Sequence, residues 1–207
     1  FARKKDLSRG KSLHLDIRKR GFLDNSAYLH LSSSLINMYA KCGVLEKAHE
    51  VLEEICFRNE FSWNALVSGY AQQGLGQEAI DCFDRMQAEG LSPDVITFTS
   101  ILKACGKIGS IHKGKQIHDM IVNKGLLERD IVLGNALVNM YIKCLAFTKA
   151  QQVFEDLPIR DVISWNVLIV GYGQHGYSHN ALNCFEEMLF EGLHADRVTF
   201  ICILKAC

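Results

Sequence analysis

"SWNALVSGYAQQG" occupies residues 62–74, and "SWNVLIVGYGQHG" occupies residues 164–176. In the first copy Trp63, Leu66, Val67 and Tyr70 fall at i, i+3, i+4 and i+7, one apolar stripe of an α-helix, with Ser62 as its expected N-cap. Gly74 and Gly76 punctuate a turn. Ala79, Cys82, Phe83 and Met86 then repeat the helical spacing, and Gly90 followed by Pro93 supplies a stop signal. The predicted unit is an antiparallel helical hairpin with Trp63 and Trp165 in its core.

Sliding the chain along itself pairs residues 35–105 with 137–207 without a gap, and about half of the paired residues are identical. Such a period is too long for one supersecondary unit, and it divides into three hairpins of unequal length. The predicted units are residues 29–59, 60–94, 95–130, 131–161 and 162–196, preceded by a partial unit over 1–28 and followed by another over 197–207. A hairpin cannot bury both of its apolar faces alone. Neighbours therefore stack into an all-α solenoid, a superhelix of either hand with a concave inner surface.

The composition agrees: 207 residues, 48% apolar, two prolines and a formal net charge of zero describe a chain able to bury a core. No uninterrupted apolar run suits a membrane span, and Phe1 stands where an initiator Met would, with no signal-peptide pattern. We expect a piece of a longer protein, with no membrane partner. Neutral charge argues against a nonspecific polyanion binder, so any nucleic-acid contact must be local. The eight cysteines show no Cys-x-x-Cys pair and no Cys/His cluster at ligand spacing, so neither metal nor other cofactor is expected. Cys42 and Cys144, Cys82 and Cys184, and Cys105 and Cys207 pair across the duplication as expected packing thiols of a reducing compartment.

Two polar positions recur in every complete unit. Ser33, Asn64, Thr99, Asn135 and Asn166 lie one residue off the apolar stripe, and Asn59, Asp94, Asp130, Asp161 and Asp196 close the units. Short polar residues at such places suit helix starts and the loops before them. Ser62, Thr97 and Ser164, two residues earlier than Asn64, Thr99 and Asn166, already fit as caps, which leaves the second polar edge for another task.

The chain resembles the pentatricopeptide repeat family, in the plant subclass that alternates standard, long and short motifs. "SWNALVSGYAQQGLGQEAIDCFDRMQAEGLSPD" matches the standard motif, "TFTSILKACGKIGSIHKGKQIHDMIVNKG" the long one and "GNALVNMYIKCLAFTKAQQVFEDLPIRD" the short one. One departure is Leu145, which stands where the other copy has Gly43. The resemblance implies a right-handed superhelical solenoid in which each repeat reads one base of single-stranded RNA through its fifth and last residues, with the second residue flanking the base. The implied pairs are Ser33 with Asn59, Asn64 with Asp94, Thr99 with Asp130, Asn135 with Asp161, and Asn166 with Asp196; the flanking residues are Phe61, Ile96, Val132 and Ile163. Asn can meet a pyrimidine edge, a short hydroxyl leaves room for a purine, and ionised Asp can only accept, as the ring N–H of uracil or guanine requires. Read from the RNA 5′ end, the implied target is A-U-G-U-U.

The resemblance also implies a plant organelle, mitochondrion or chloroplast, a role in specifying C-to-U editing sites, and editing cofactor proteins as partners. The alternative is a tetratricopeptide-like scaffold for protein partners, although that family keeps one constant period. Self-association is a further expectation, because Phe200, Ile201 and Leu204 begin a unit without its second helix. "GSIHKGKQ" at 109–116 approaches a phosphate-binding loop but ends in Gln116 and follows no strand, so Gly109 and Gly114 are expected to be turn residues, with Lys113 and Lys115 on a solvated face. His14 and His118 occupy equivalent places and are expected to pack. No catalytic constellation is present, so the segment is expected to recognise rather than react.

Overall fold

A computed structural model describes residues 2–24 and 26–206; Phe1, Asn25 and Cys207, including the expected packing thiol at the last position, lie outside the described residues. The regular elements among them are all helical. The chain forms two compact units that divide between residues 104 and 105. In the first, helix α1 (Ala2–Lys19) leads through two short 3-10 turns (Phe22–Asp24 and Ser26–Tyr28) to α2 (Leu29–Lys41), α3 (Leu45–Glu54), α4 (Glu60–Gln73), α5 (Gly76–Ala88) and most of α6 (Val95–Ile108). The second contains the end of α6, then α7 (Ile111–Asn123), α8 (Ile131–Lys143), α9 (Phe147–Glu155), α10 (Val162–Gln174), α11 (Ser178–Phe190) and α12 (Arg197–Ala206). No described helix is long and apolar enough to cross a membrane.

Inside each unit the hairpins stack as the pattern requires. Trp63, Leu66, Val67, Ala79, Cys82, Phe83 and Met86 are all buried in the first, and Trp165, Leu168, Ile169, Ala181, Cys184 and Met188 in the second. Tyr70 is only half-buried, its hydroxyl 3.5 Å from His49 Nδ1. Burial pushes the Cys82 and Cys184 thiols up to about 12, so both are inert packing groups. Cys105 is buried as well, while Cys42 and Cys144 are half-buried.

The helix starts differ from the sequence expectation. Asn59, not Ser62, is the N-cap of α4: its Oδ1 accepts from Ser62 N–H at 2.9 Å, and Ser62 Oγ accepts from Asn59 N–H at 3.0 Å, a reciprocal capping box. Asp161 and Ser164 repeat the arrangement at α10. Asp94 accepts from Thr97 N–H at 2.8 Å, Asp196 from Thr199 N–H at 2.9 Å, and Asp130 from Val132 N–H at 2.8 Å. The apolar stripe misplaced these starts because the first helical turn carries exposed residues such as Glu60 and Phe61, which add nothing to the periodic signal. The closing Asn or Asp of each unit thus has a full structural duty as the cap of the next helix.

Glycine takes two distinct roles. Gly74 ends α4 in the left-handed region at φ 86°, whereas Gly76 is the first residue of α5 rather than part of the turn. Gly114 lies inside α7, where a Cβ would stand 2.5 Å from Met140 Sδ, so it is a packing residue and not the turn residue expected; Gly109 does take the turn, at φ 69°. Leu145 sits at φ 59° where Gly43 adopts φ 82°. Because a left-handed residue with a Cβ costs roughly 1–2 kcal/mol and the Leu145 side chain is mostly exposed, Leu145→Gly is expected to stabilise the protein by about 1 kcal/mol. An unchanged or lower urea midpoint would count against this.

Candidate functional site

Three of the five recurring polar pairs are hydrogen-bonded. Asn64 Nδ2 donates to Asp94 Oδ2 at 2.7 Å, Asn166 Nδ2 donates to Asp196 Oδ1 at 3.1 Å, and Ser33 Oγ donates to Asn59 Oδ1 at 3.1 Å. A third member joins in the standard units: the Thr97 hydroxyl donates to Asn64 Oδ1, and the Thr199 hydroxyl donates to Asn166 Oδ1 at 2.7 Å. Asn64 and Asn166 are consequently buried, at 6% and 7% exposure, although they lie one residue off the apolar stripe. An amide directly beside a core Trp is tolerated because its bonds are satisfied within the pair and its threonine.

These bonds define what remains for a ligand. Asn64 uses its carbonyl on Thr97 and one N–H on Asp94, so the second N–H is the group it can still offer. Asp196 Oδ1 accepts from Asn166 Nδ2 and Thr199 N, with the Thr199 hydroxyl, whose one proton is shared with Asn166 Oδ1, 2.9 Å away, so Oδ2 keeps capacity to accept. The Thr199 backbone N–H, reinforced by the Thr199 hydroxyl and Asn166 amide, holds the Asp196 carboxyl below the ordinary carboxylate range. Thr99 turns its hydroxyl back onto the carbonyls of Val95 and Ile96, at 2.9 and 3.0 Å. Asn135 differs again: its Oδ1 is buried and has no partner, while Asp161 Oδ1 accepts from Ser164.

The expected flanking residues are exposed although apolar. Phe61, Ile96, Val132 and Ile163 are 58%, 59%, 57% and 62% exposed, each the second residue of its helix. In the first unit Phe61 and Ile96 line one open cavity of about 340 Å³ together with Ser33, Asn64, Ala65 and Ser68. His30, Ser34 and Asn37 complete it, and the His30 ring lies 5.9 Å from that of Phe61. His30 escaped the sequence reading, yet the signal was there: it follows the first residue of its unit, as Phe61 does.

Outside this cavity, equivalent histidines bond equivalent tyrosines: His14 Nδ1 lies 2.9 Å from Tyr39 Oη, and His118 Nδ1 lies 2.9 Å from Tyr141 Oη. Burial pushes both imidazoles down from their ordinary value, and the buried His14 Nε2 has no acceptor for a second proton. A folded pKa below the unfolded value of about 6.5 means that the unfolded chain binds more protons. Stability from these groups is therefore full above that value and lost as pH falls below it. Urea midpoints are expected to drop between neutral pH and pH of about 5, with a shallower drop in the His14→Gln, His118→Gln double variant; equal slopes would refute the assignment.

The profile of the PPR repeat family matches residues 58–107 and 160–207, and that of the PPR repeat matches residues 32–59 and 96–126. The chain belongs to the pentatricopeptide repeat family. Similar pentatricopeptide repeat proteins of Arabidopsis thaliana include CRR2, chloroplastic, 37% identical over 97% of this chain and 30% of that protein, and At3g09040, mitochondrial, 38% identical over 98% and 19%. The chain thus spans a third or less of either relative. Among solved structures, pentatricopeptide repeat protein PPR10 in complex with an 18-nt psaJ RNA element superposes with a TM-score of 0.81 at 26% identity, covering 99% of this chain and 31% of that one. The hairpin fold is therefore that of a pentatricopeptide array.

Proposed function

We propose that the chain is the single-stranded RNA-binding part of a plant organellar RNA-processing factor, of the subclass that specifies C-to-U editing sites, and that it reads one base per repeat. The observation that carries this reading is the combination of four exposed apolar residues, Phe61, Ile96, Val132 and Ile163, with bonded polar pairs such as Asn64 and Asp94. An isolated exposed apolar side chain is unremarkable. The same exposure at the same helical position, beside a half-satisfied polar pair, suits a flat apolar ring held between side chains with its edge on donors and acceptors. PPR10, of the same fold, was solved with RNA bound.

The free groups favour particular bases. The remaining N–H of Asn64 suits a carbonyl oxygen, and Asp94 Oδ2, which takes only the Asn64 bond, keeps a lone pair for a ring N–H, a combination that uracil offers. Asn166 and Asp196 repeat it. Ser33 is shorter, and Asn59 spends Oδ1 on Ser62 and Ser33, leaving its amide N–H groups for the ring nitrogen of adenine. With Thr99 and Asp130 reading G, and Asn135 and Asp161 reading U, the target is A-U-G-U-U from the 5′ end. An oligonucleotide carrying AUGUU is expected to bind about tenfold or more tightly than AAGAU, each lost contact being worth roughly 1–3 kcal/mol. Equal affinities would overturn the assignment, and capture of protein but no RNA would favour a scaffold instead.

A further inference from the structure

The internal duplication makes one half of the chain a reference for the other. In the first copy a polar chain runs from Tyr70 Oη to His49 Nδ1 (3.5 Å), from His49 Nε2 to Arg85 Nη1 (3.4 Å), and from Arg85 Nη2 to Glu53 Oε1 (2.6 Å). The Arg85 guanidinium also lies over the Trp63 ring, 5.3 Å from its centroid. Arg58 adds a second cation to Glu53, at 3.1 Å. The carboxylate is thus met by two guanidinium groups.

The second copy keeps the chain but loses one cation and turns the other away. Tyr172 Oη donates to Gln151 Oε1 at 3.2 Å, and Gln151 Nε2 donates to Glu155 Oε1 at 2.9 Å. At the place of Arg85 stands Glu187, and Arg160, the equivalent of Arg58, pairs with Glu191 alone at 2.7 Å. Among the described residues no ion pair forms at Glu155 or Glu187. Burial, with Cys184 and both carboxylates adding to it, holds the Tyr172 hydroxyl above its ordinary range. An open cavity of about 690 Å³ adjoins Glu155, Gln151 and Tyr172, walled by Phe147, stacked on Tyr172 with centroids 5.6 Å apart, and by the half-exposed Tyr177.

We propose that this cavity receives an arginine side chain from a protein partner, which takes the position that Arg85 fills in the first copy. Three features select that occupant. Glu155 on the cavity wall and Glu187 at the place of Arg85, neither in an ion pair among the described residues, favour a cation and repel RNA phosphates. The planar aromatic wall suits a guanidinium, which stacks on rings and forks onto carboxylates, better than a compact ammonium. In the first copy the equivalent chain of Tyr70, His49 and Glu53 already holds a guanidinium, with Leu45 and Leu75 where the second has Phe147 and Tyr177. The Trp165 ring is not used, because Arg160 covers it at 5.9 Å.

The test is nuclear magnetic resonance titration of the protein with an acetylated Gly-Ser peptide carrying two arginines, and with the same peptide carrying citrulline. The arginine peptide is expected to shift the Gln151 side-chain amide, and the citrulline peptide to leave it in place. Glu187→Arg supplies the missing cation internally and is expected to weaken peptide binding by about tenfold or more, the loss of a charge-assisted pair, while its folding and RNA affinity stay unchanged. Glu155→Gln should weaken the peptide in the same way. A smaller loss in Glu187→Arg, an equal response to citrulline, no shift at millimolar peptide, or displacement of the peptide by RNA would each overturn the proposal.

Discussion

Trp63→Ala is expected to lower the unfolding free energy by about 4 kcal/mol, within the range for a fully buried aromatic cut back to a methyl group. Trp63 is wholly buried, so its removal opens a cavity that stacked helices cannot collapse to fill. The ring also organises charge at its rim: Nε1 donates to Glu89 Oε2 at 3.0 Å, and Glu89 Oε1 accepts from Arg58 at 2.6 Å. Trp63→Phe keeps an aromatic plug and should cost less than half as much, since Glu89 is partly exposed and retains Arg58. The check is chemical denaturation of both variants beside the parent. A loss below about 2 kcal/mol for the alanine variant would mean that the hairpin core does not close on this residue.

Asn64→Asp is the second large effect, because it replaces the donor facing Asp94 by a carboxylate. The native contact is 2.7 Å long and Asn64 is 6% exposed, so two negative charges would share a dry space. At neutral pH the expected loss is about 3 kcal/mol, the scale for breaking a buried charge-assisted bond and stranding its partner. The pH dependence identifies the cause. One carboxyl of the new pair retains its proton in the folded state, which raises its folded pKa above the unfolded value near 3.9. Stability is then full below the unfolded pKa and lost as pH rises through the folded one. The variant's deficit against the parent should shrink on acidification from neutral pH to pH of about 4, and a deficit independent of pH would sink the idea. On the proposed reading, RNA carrying U at the second base should bind the variant about tenfold more weakly, since the free N–H proposed to meet the uracil carbonyl is gone.

Part of the geometry was legible before any coordinates. Phe61, Ile96, Val132 and Ile163, which the resemblance places beside a base, are apolar and all four are exposed. The pairing of Asn64 with Asp94, thirty residues apart, is what the family resemblance implies, and the structure joins them. Ser62 was misread as a cap because exposed first-turn residues carry no periodic signal. The same error hid the capping duty of Asp94, Asp161 and Asp196, since a side chain's choice between the loop and the ligand depends on where the backbone N–H groups begin to turn.

Residue order alone determined the hairpins, their unequal lengths and their grouping into repeats, because apolar spacing and turn residues act over a few positions and are written locally. Tertiary structure alone decided which atoms of each polar residue are spent and which are spare. The Thr97 hydroxyl consumes the Asn64 carbonyl from the neighbouring helix, and Glu187 stands unpaired where Arg85 is clasped, because hydrogen bonds and ion pairs between stacked hairpins depend on separations in space that no sequence interval specifies.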